Sequence, residues 1–237
     1  MPEEYNQAVA EHYAAFRPPL HQLILKKLFN TGERFDSGLD IGCGTGYSAI
    51  ALCDYCDHVT GLDPSESMIQ QAVEHPSITY LHGNEDRLSD LASESIDIIT
   101  FAGSLFYAKS VKLYQALLRI LQPKGAILVY DFEILLDKAL EQLDLQATSI
   151  ESDYQFVVDL SDWNQLKPEV SKTEQIELTF SPEELSHLLL ADSNIYKRIA
   201  NHLNQTEPYA HLAEHFQRLS GQHTLNAKLY YSKYVRA

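Results

Sequence analysis

The run Asp40-Ile41-Gly42-Cys43-Gly44-Thr45-Gly46 constrains this chain more than any other stretch. Gly38-Leu39-Asp40-Ile41 reads as a buried strand, and three glycines then turn the backbone into a helix beginning near Tyr47. Glycine belongs where a chain bends sharply and a ligand must lie against bare backbone. The next apolar stretch, His58-Val59-Thr60-Gly61-Leu62-Asp63, ends in a carboxylate. An acid about 20 residues after such a loop is at the usual distance for gripping a ribose. Together these residues describe a nucleoside pocket at the carboxyl ends of the first two strands of an α/β sheet. A plain strand–turn–helix with incidental glycines is the other reading they allow.

Glycine spacing narrows the nucleoside. A dinucleotide loop spaces its glycines G-x-G-x-x-G, so that a pyrophosphate can lie on a helix amino terminus. Here the spacing is G-x-G-x-G, and Asp40 stands two residues before the first glycine. A carboxylate beside a pyrophosphate in a low-dielectric cleft is repelled. It suits a ligand carrying an ammonium group and a sulfonium centre instead. Downstream, Asp63-Pro64-Ser65-Glu66-Ser67-Met68 adds a Pro that fixes φ, a Ser able to cap a helix, and a soft Met surface for an adenine ring.

With both stretches on the page, the chain resembles the class I S-adenosylmethionine-dependent methyltransferases, of the type 11/25-like group. The resemblance rests on L-D-I-G-C-G-T-G followed by G-x-D-x-S-x-x-M. It implies that Gly42 and Gly44, with Cys43 between them, pack against the methionine part of S-adenosylmethionine. It also implies that Asp63 chelates the ribose hydroxyls, and that Asp40 orients the loop and the cofactor amino group, directly or through water. The fold implied is Rossmann-like: a seven-stranded, mostly parallel sheet with helices on both faces and the last strand antiparallel, plus extra helical cover.

Composition removes several function classes. The formal net charge over 237 residues is −15 and the pI near 5.0. Nucleic-acid binding draws most of its affinity from basic surface, which argues against such a partner here. Met1-Pro2-Glu3-Glu4 lacks the apolar core of a secretory signal, and no apolar run approaches membrane-spanning length. Three cysteines fit a reducing compartment better than a disulfide framework, so the expectation is a cytoplasmic protein.

Alternating strand and helix patterns continue after the glycine loop, as a doubly wound sheet requires. Ser77–Gly83, Ile96–Ala102 and Ala126–Phe132 read as the third, fourth and fifth strands, and Gln175–Phe180 and Leu225–Val235 as two later ones. Leu20–Phe29 and Val111–Leu121 read as helices, the second ended by Pro123 and Gly125. Ser181-Pro182-Glu183-Glu184 opens a long helical region reaching about Gly221, and 136–174 reads as irregular or helical cover. The whole is expected to be one domain: a lid and helix over 1–30, a cofactor core over 35–135, substrate-side helical cover with one strand over 136–224, and a final strand over 225–237.

Further site residues follow partly from the resemblance. After the third strand, Asn84 takes the position where relatives place an adenine-binding acid, and Glu85 offers its backbone N–H; a polar helix cap is the plainer role for Asn84. After the fourth strand, Ala102 and Gly103 are where relatives line the methyl-transfer channel. Tyr13-Ala14-Ala15-Phe16-Arg17-Pro18 is similar to the amino-terminal lid of small-molecule enzymes resembling trans-aconitate methyltransferase. Tyr13 would then cover the methionine end of the cofactor, and Arg17 would pair with a cofactor or substrate carboxylate. A surface ion pair is the alternative for Arg17.

The expected activity is methyl transfer from S-adenosylmethionine to a small molecule, with a carboxylic acid suggested by the resemblance and Arg17. Phe106 stands where relatives often carry a His, so no general base carries over. Tyr107 and Arg17 are the weak catalytic candidates, though an unperturbed tyrosine is a poor base at neutral pH. Transfer needs alignment of nucleophile, methyl and sulfur more than a base. The alternatives are a catalytically idle S-adenosylmethionine-binding protein acting through partners, and a nicotinamide-dependent oxidoreductase. No metal is expected. Cys53-x-x-Cys56 lacks a second half-site and reads as packed thiols late in the first helix of the core. His211-x-x-Glu214-His215 has no acid after it to complete a zinc site. The sequence assigns no oligomeric state and no membrane partner.

Overall fold

A computed structural model of the chain describes residues 7–146 and 153–237. In chain order the elements are α1 (Gln7–Ala15), α2 (Leu20–Leu28), β1 (Phe35–Ile41), α3 (Tyr47–Leu52), β2 (Cys56–Asp63) and α4 (Glu66–Gln70). Then follow β3 (Ile78–His82), a 3-10 turn over Glu85–Asp90, β4 (Ile96–Ala102), α5 (Leu105–Ala108), α6 (Val111–Ile120), β5 (Leu121–Ile134) and α7 (Asp137–Glu141). The rest is β6 (Leu166–Phe180), α8 (Pro182–Leu190), α9 (Ser193–Leu203), α10 (Tyr209–Leu219) and β7 (His223–Arg236).

The seven strands lie in the order β3-β2-β1-β4-β5-β7-β6, mostly parallel with the last strand of the chain antiparallel. β1 is flanked by β2 on one side and β4 on the other, with Asp40 level with Gly61 and Thr100. The chain runs outward to β3 and returns beyond β1 to β4. Such a reversal leaves a crevice at the carboxyl ends of the strands, where ligands bind in open α/β sheets. Leu39, Ile99, Phe101 and Ile127 are fully buried, as expected of strands covered on both faces.

The chain divides into two compact units. Of the described residues, one holds 20–133, 153–174 and 229–237, and the other 7–19, 134–146 and 175–228. The first is built on the sheet, and its core includes Leu39, Phe101, Leu117, Ile127 and Trp163. On α6, Leu113, Leu117 and Ile120 recur at helical spacing and are the buried positions. The second unit packs Leu185, Leu189, Leu190, Leu212 and Phe216 into its own core.

Four sequence expectations are corrected. Pro123 and Gly125 do not precede β5 but lie within it. Ile96 pairs with Leu121 and Ile98 with Ala126, so the intervening residues bulge out, with Lys124 at φ +68°. The region 136–174 holds the first half of β6, which begins at Leu166 rather than near Gln175. β6 is last in the strand order, and an edge strand needs no apolar run; charged side chains there discourage unwanted pairing. The long helical region is three helices. Asp192 caps α9 by accepting from the amides of Asn194 (2.8 Å) and Ile195 (2.9 Å), Asn204 ends it at φ +51°, and Pro208 precedes α10. Cys53 only ends α3, and Cys56 opens β2. Both are free thiols, pushed by burial up to about 11 and about 12.

The predicted helix start at Ser181 is a full capping box. The Ser181 hydroxyl accepts from the Glu184 amide at 3.2 Å, and the Glu184 carboxylate accepts from the Ser181 amide at 2.8 Å.

Candidate functional site

Asp40 sits at the base of the site and is fully buried. The Ser48 hydroxyl on α3 donates to one of its oxygens at 2.5 Å, and the Thr100 hydroxyl on β4 donates to the other at 2.7 Å. Burial raises its carboxyl pKa to about 6, with both hydrogen bonds acting against the rise. Asp40 thereby ties together the three elements that frame the glycine loop.

Above it the backbone takes left-handed conformations at Gly42 (φ +74°), Gly44 (φ +54°) and Gly46 (φ +92°). A side chain at Gly42 would strike Ser104, and one at Gly46 the ring of Tyr80, whereas Gly44 faces open space. The Gly42 amide donates to the Leu62 carbonyl at 2.7 Å, which closes the loop onto the end of β2. Cys43 is buried in this turn, and its thiol is held protonated by desolvation.

Asp63 terminates β2 and is mostly buried. One oxygen accepts from the Gly44 amide at 2.8 Å and the other from the Ser65 amide at 2.8 Å. Each carboxylate oxygen has a second lone pair, so both can still accept from a ligand diol. Ser65 also caps α4 through the Met68 amide at 3.4 Å.

A cleft of about 440 Å³ opens at these strand ends. Of the residues singled out from sequence, it is lined by Gly42, Asp63, Pro64, Asn84, Glu85, Ala102, Gly103 and Tyr107. Asp40, Cys43, Gly44 and Met68 lie outside the lining. Tyr13 and Arg17 belong to the other unit, where the guanidinium carbon of Arg17 stands 3.2 Å from the centroid of the Tyr13 ring. The side-chain oxygen of Asn84 accepts from the Asp86 amide at 3.0 Å, the helix-cap role.

Ile41, Leu62, Gly83, Ser104, Ala108 and Leu113 also line the cleft, and sequence reasoning missed them. Ile41, Leu62 and Gly83 directly precede predicted site residues, so adjacency was a usable signal. Leu113 reads as core in any helical pattern. The wall is apolar with a few convergent polar groups, the usual make-up of a small-molecule site.

The cleft suits S-adenosylmethionine in kind: a held carboxylate for the ribose, bare backbone beside it, and an apolar wall for the adenine. Residues 39–129 match the family model described as a methyltransferase domain. A Dictyostelium discoideum protein provisionally named a methyltransferase is 25% identical over 129 residues, covering 54% of this chain and 49% of that protein. A Saccharomyces cerevisiae protein named as a probable S-adenosylmethionine-dependent methyltransferase is 28% identical over 123 residues, 48% of this chain and 42% of its own. The chain thus spans about half the length of the curated relatives it matches. Among solved structures, a protein of Anaeromyxobacter dehalogenans provisionally described as a type II methyltransferase shares the fold with TM-score 0.60 at 18% identity, over 93% of this chain and 97% of that one.

The strand order is Rossmann-like. Residues 39–129 thus match a methyltransferase domain, and the chain is similar to the class I S-adenosylmethionine-dependent methyltransferases, whose cofactor is S-adenosylmethionine.

Proposed function

We propose that this protein transfers the methyl group of S-adenosylmethionine to a small molecule by direct in-line displacement. The observation that carries this is the acid at the end of β2, already fastened to the glycine loop through the Gly44 amide at 2.8 Å, with the cleft before it. Asp63 would hold the ribose, Asn84 and Glu85 the adenine edge, and Gly42 and Gly44 the methionine part. Asp40 and Cys43 would support the loop, and Pro64 and Met68 the adenine side. The bound cofactor supplies a methyl group on a sulfonium, a leaving group that needs no protein acid. The chain's own work is then to hold the acceptor in line and to exclude water. The net charge of −15 supports a small molecule over nucleic acid as acceptor, and free Cys43, Cys53 and Cys56 support a reducing, cytoplasmic setting.

Calorimetry with S-adenosylhomocysteine tests the site. Wild type should bind, and Asp63→Ala and Gly44→Val should lose most of that affinity; equal binding by all three would show the site misassigned. A catalytically idle cofactor-binding protein is the second reading. It is favoured by the absence of a histidine from the cleft lining among the described residues. Release of S-adenosylhomocysteine from a panel of small acids, amines and phenols separates the two. A carboxylic acid, the acceptor suggested by sequence, rests on Arg17 and on the resemblance alone.

A further inference from the structure

A cavity of about 210 Å³ lies within the second unit and shares no lining residue with the cofactor cleft. One water needs only roughly 10–15 Å³, so the space admits a small molecule. Lys138 and Gln142 line it from α7 and its end, Ser220 from the end of α10, and Gln222, His223 and Thr224 from the start of β7. These walls are tied to one another. The His215 ring on α10 hydrogen-bonds the Gln142 carbonyl at 3.0 Å, and the Leu135 amide donates to the Asn226 carbonyl of β7 at 2.8 Å. Beneath them Leu140, Leu212 and Leu225 are buried in the same core. The cavity is thus preformed.

Its lining is rich in donors. Among the described residues, no Asp or Glu lines it, and Lys138 is its one lysine or arginine. The only hydrogen bond of the Lys138 ammonium among the described residues is a long one, 3.4 Å to the Thr224 carbonyl. An ammonium has three donors, so at least two remain for a ligand. Asp137 and Glu141, the acids on the same helix, are exposed and do not line the cavity. The Ser220 hydroxyl accepts from the Gln222 amide at 3.2 Å, which leaves its own proton to donate. The side-chain amides of Gln142 and Gln222 and the Thr224 hydroxyl make no hydrogen bond among the described residues. His223 donates from Nε2 to the carbonyls of Phe216 and Ser220, at 3.1 Å each. Two of the carbonyl groups that give the end of α10 its negative character are therefore already satisfied.

We propose that this cavity binds a small oxyanion, a carboxylate or a phosphate group. Lys138 supplies the charge, and the amides of Gln142 and Gln222 with the hydroxyls of Ser220 and Thr224 supply hydrogen bonds. Both groups present acceptor oxygens only, which matches a wall of unspent donors, and lysine meets either one as a point charge. The chain as a whole carries a net charge of −15 and repels anions, so saturable binding of one requires a local site of this kind.

The test is calorimetric titration of the full chain with inorganic phosphate and, separately, with malonate, at an ionic strength held constant with chloride. Wild type should bind at least one of them saturably, and the tighter of the two identifies the group the site takes. Lys138→Gln should weaken that binding by about tenfold or more, the scale of one lost hydrogen bond to a charged group. Lys138→Arg keeps the charge and should stay within about threefold of wild type. Lys124→Gln removes the same charge from the exposed bulge of β5 in the other unit and should bind like wild type. Melting temperatures without ligand show that each variant is folded. The proposal fails if neither anion saturates, or if the two glutamine variants weaken together, which is a diffuse effect of net charge. It also fails if glycerol binds as tightly as the anions and ignores Lys138→Gln, which marks a site for neutral polar molecules.

Discussion

The carboxylate of Asp63 accepts a 2.8 Å hydrogen bond from the amide of Gly44, so the acid ending β2 and the glycine loop after β1 are mechanically joined. Replacing Asp63 by Ala leaves the Gly44 and Ser65 amides without their acceptor, a cost of about 1–3 kcal/mol for each that stays buried. We expect a lower melting temperature together with S-adenosylhomocysteine affinity reduced on the order of 100-fold, the scale of a lost charge-assisted bidentate contact. Asp63→Asn keeps one acceptor oxygen and should melt closer to wild type while still binding poorly. Calorimetry and thermal denaturation on the same samples separate the two effects.

Gly42 and Gly44 share a left-handed backbone but not their surroundings. Ser104 blocks a side chain at Gly42, and nothing lies within 4 Å at Gly44. Both alanine variants carry a backbone penalty of about 1–2 kcal/mol, and Gly42→Ala adds about 1–3 kcal/mol of overpacking. Denaturant midpoints should therefore order wild type, Gly44→Ala, Gly42→Ala from most to least stable. Equal midpoints for the two variants would contradict the contact with Ser104.

Asp40 gives a signed dependence on pH. Its folded pKa of about 6 lies above the ordinary value of 3.8, so the folded state holds the proton more tightly than the unfolded one. This group's contribution to stability is therefore greatest below the unfolded value and is lost as pH rises through the folded one. Asp40→Asn should lose less stability than wild type between pH 4 and 6. Melting curves of both proteins across that window provide the comparison.

A histidine pair in the other unit works in the opposite direction. His12 and His187 share a 2.9 Å hydrogen bond between their Nδ1 atoms, which requires a lone pair on one ring. His12 stacks near Tyr209 and lies 6.1 Å from Tyr196 between ring centroids, and Glu11 acts to raise its pKa. Burial lowers both histidine pKa values, and the neighbouring ring lowers His12 further. Stability from the pair is thus present above the ordinary histidine pKa near 6.5 and lost as pH falls below it. His187→Phe should reduce the drop in melting temperature between pH 7.5 and 5.5. An unchanged drop would show that the pair does not titrate with unfolding.

Local chemistry explains what was legible early. The strand-like runs at 38–41, 58–63 and 96–102, the turn glycines, and the Ser181 capping box act over a few residues, so their signals are contiguous. Asp192, Asn204 and Pro208 were equally local, and they would have divided the long helical region had each been weighed as a cap or a break. The first half of β6 could not be read this way. An edge strand of Lys, Glu, Ser and Thr is stabilised by the strand beside it rather than by its own pattern.

The cofactor loop and its acid were written in the chain because a ribose and a bare backbone turn each demand particular residue types at nearby positions. The cluster behind Gly103 was not. Gly103, Asp131 and Tyr154 lie on separate segments, and only the tertiary fold, with β4 beside β5, brings Asp131 and Tyr154 against Gly103. Hydrogen bonds and charge act through space, so contacts made across the sheet leave no periodic trace along the chain.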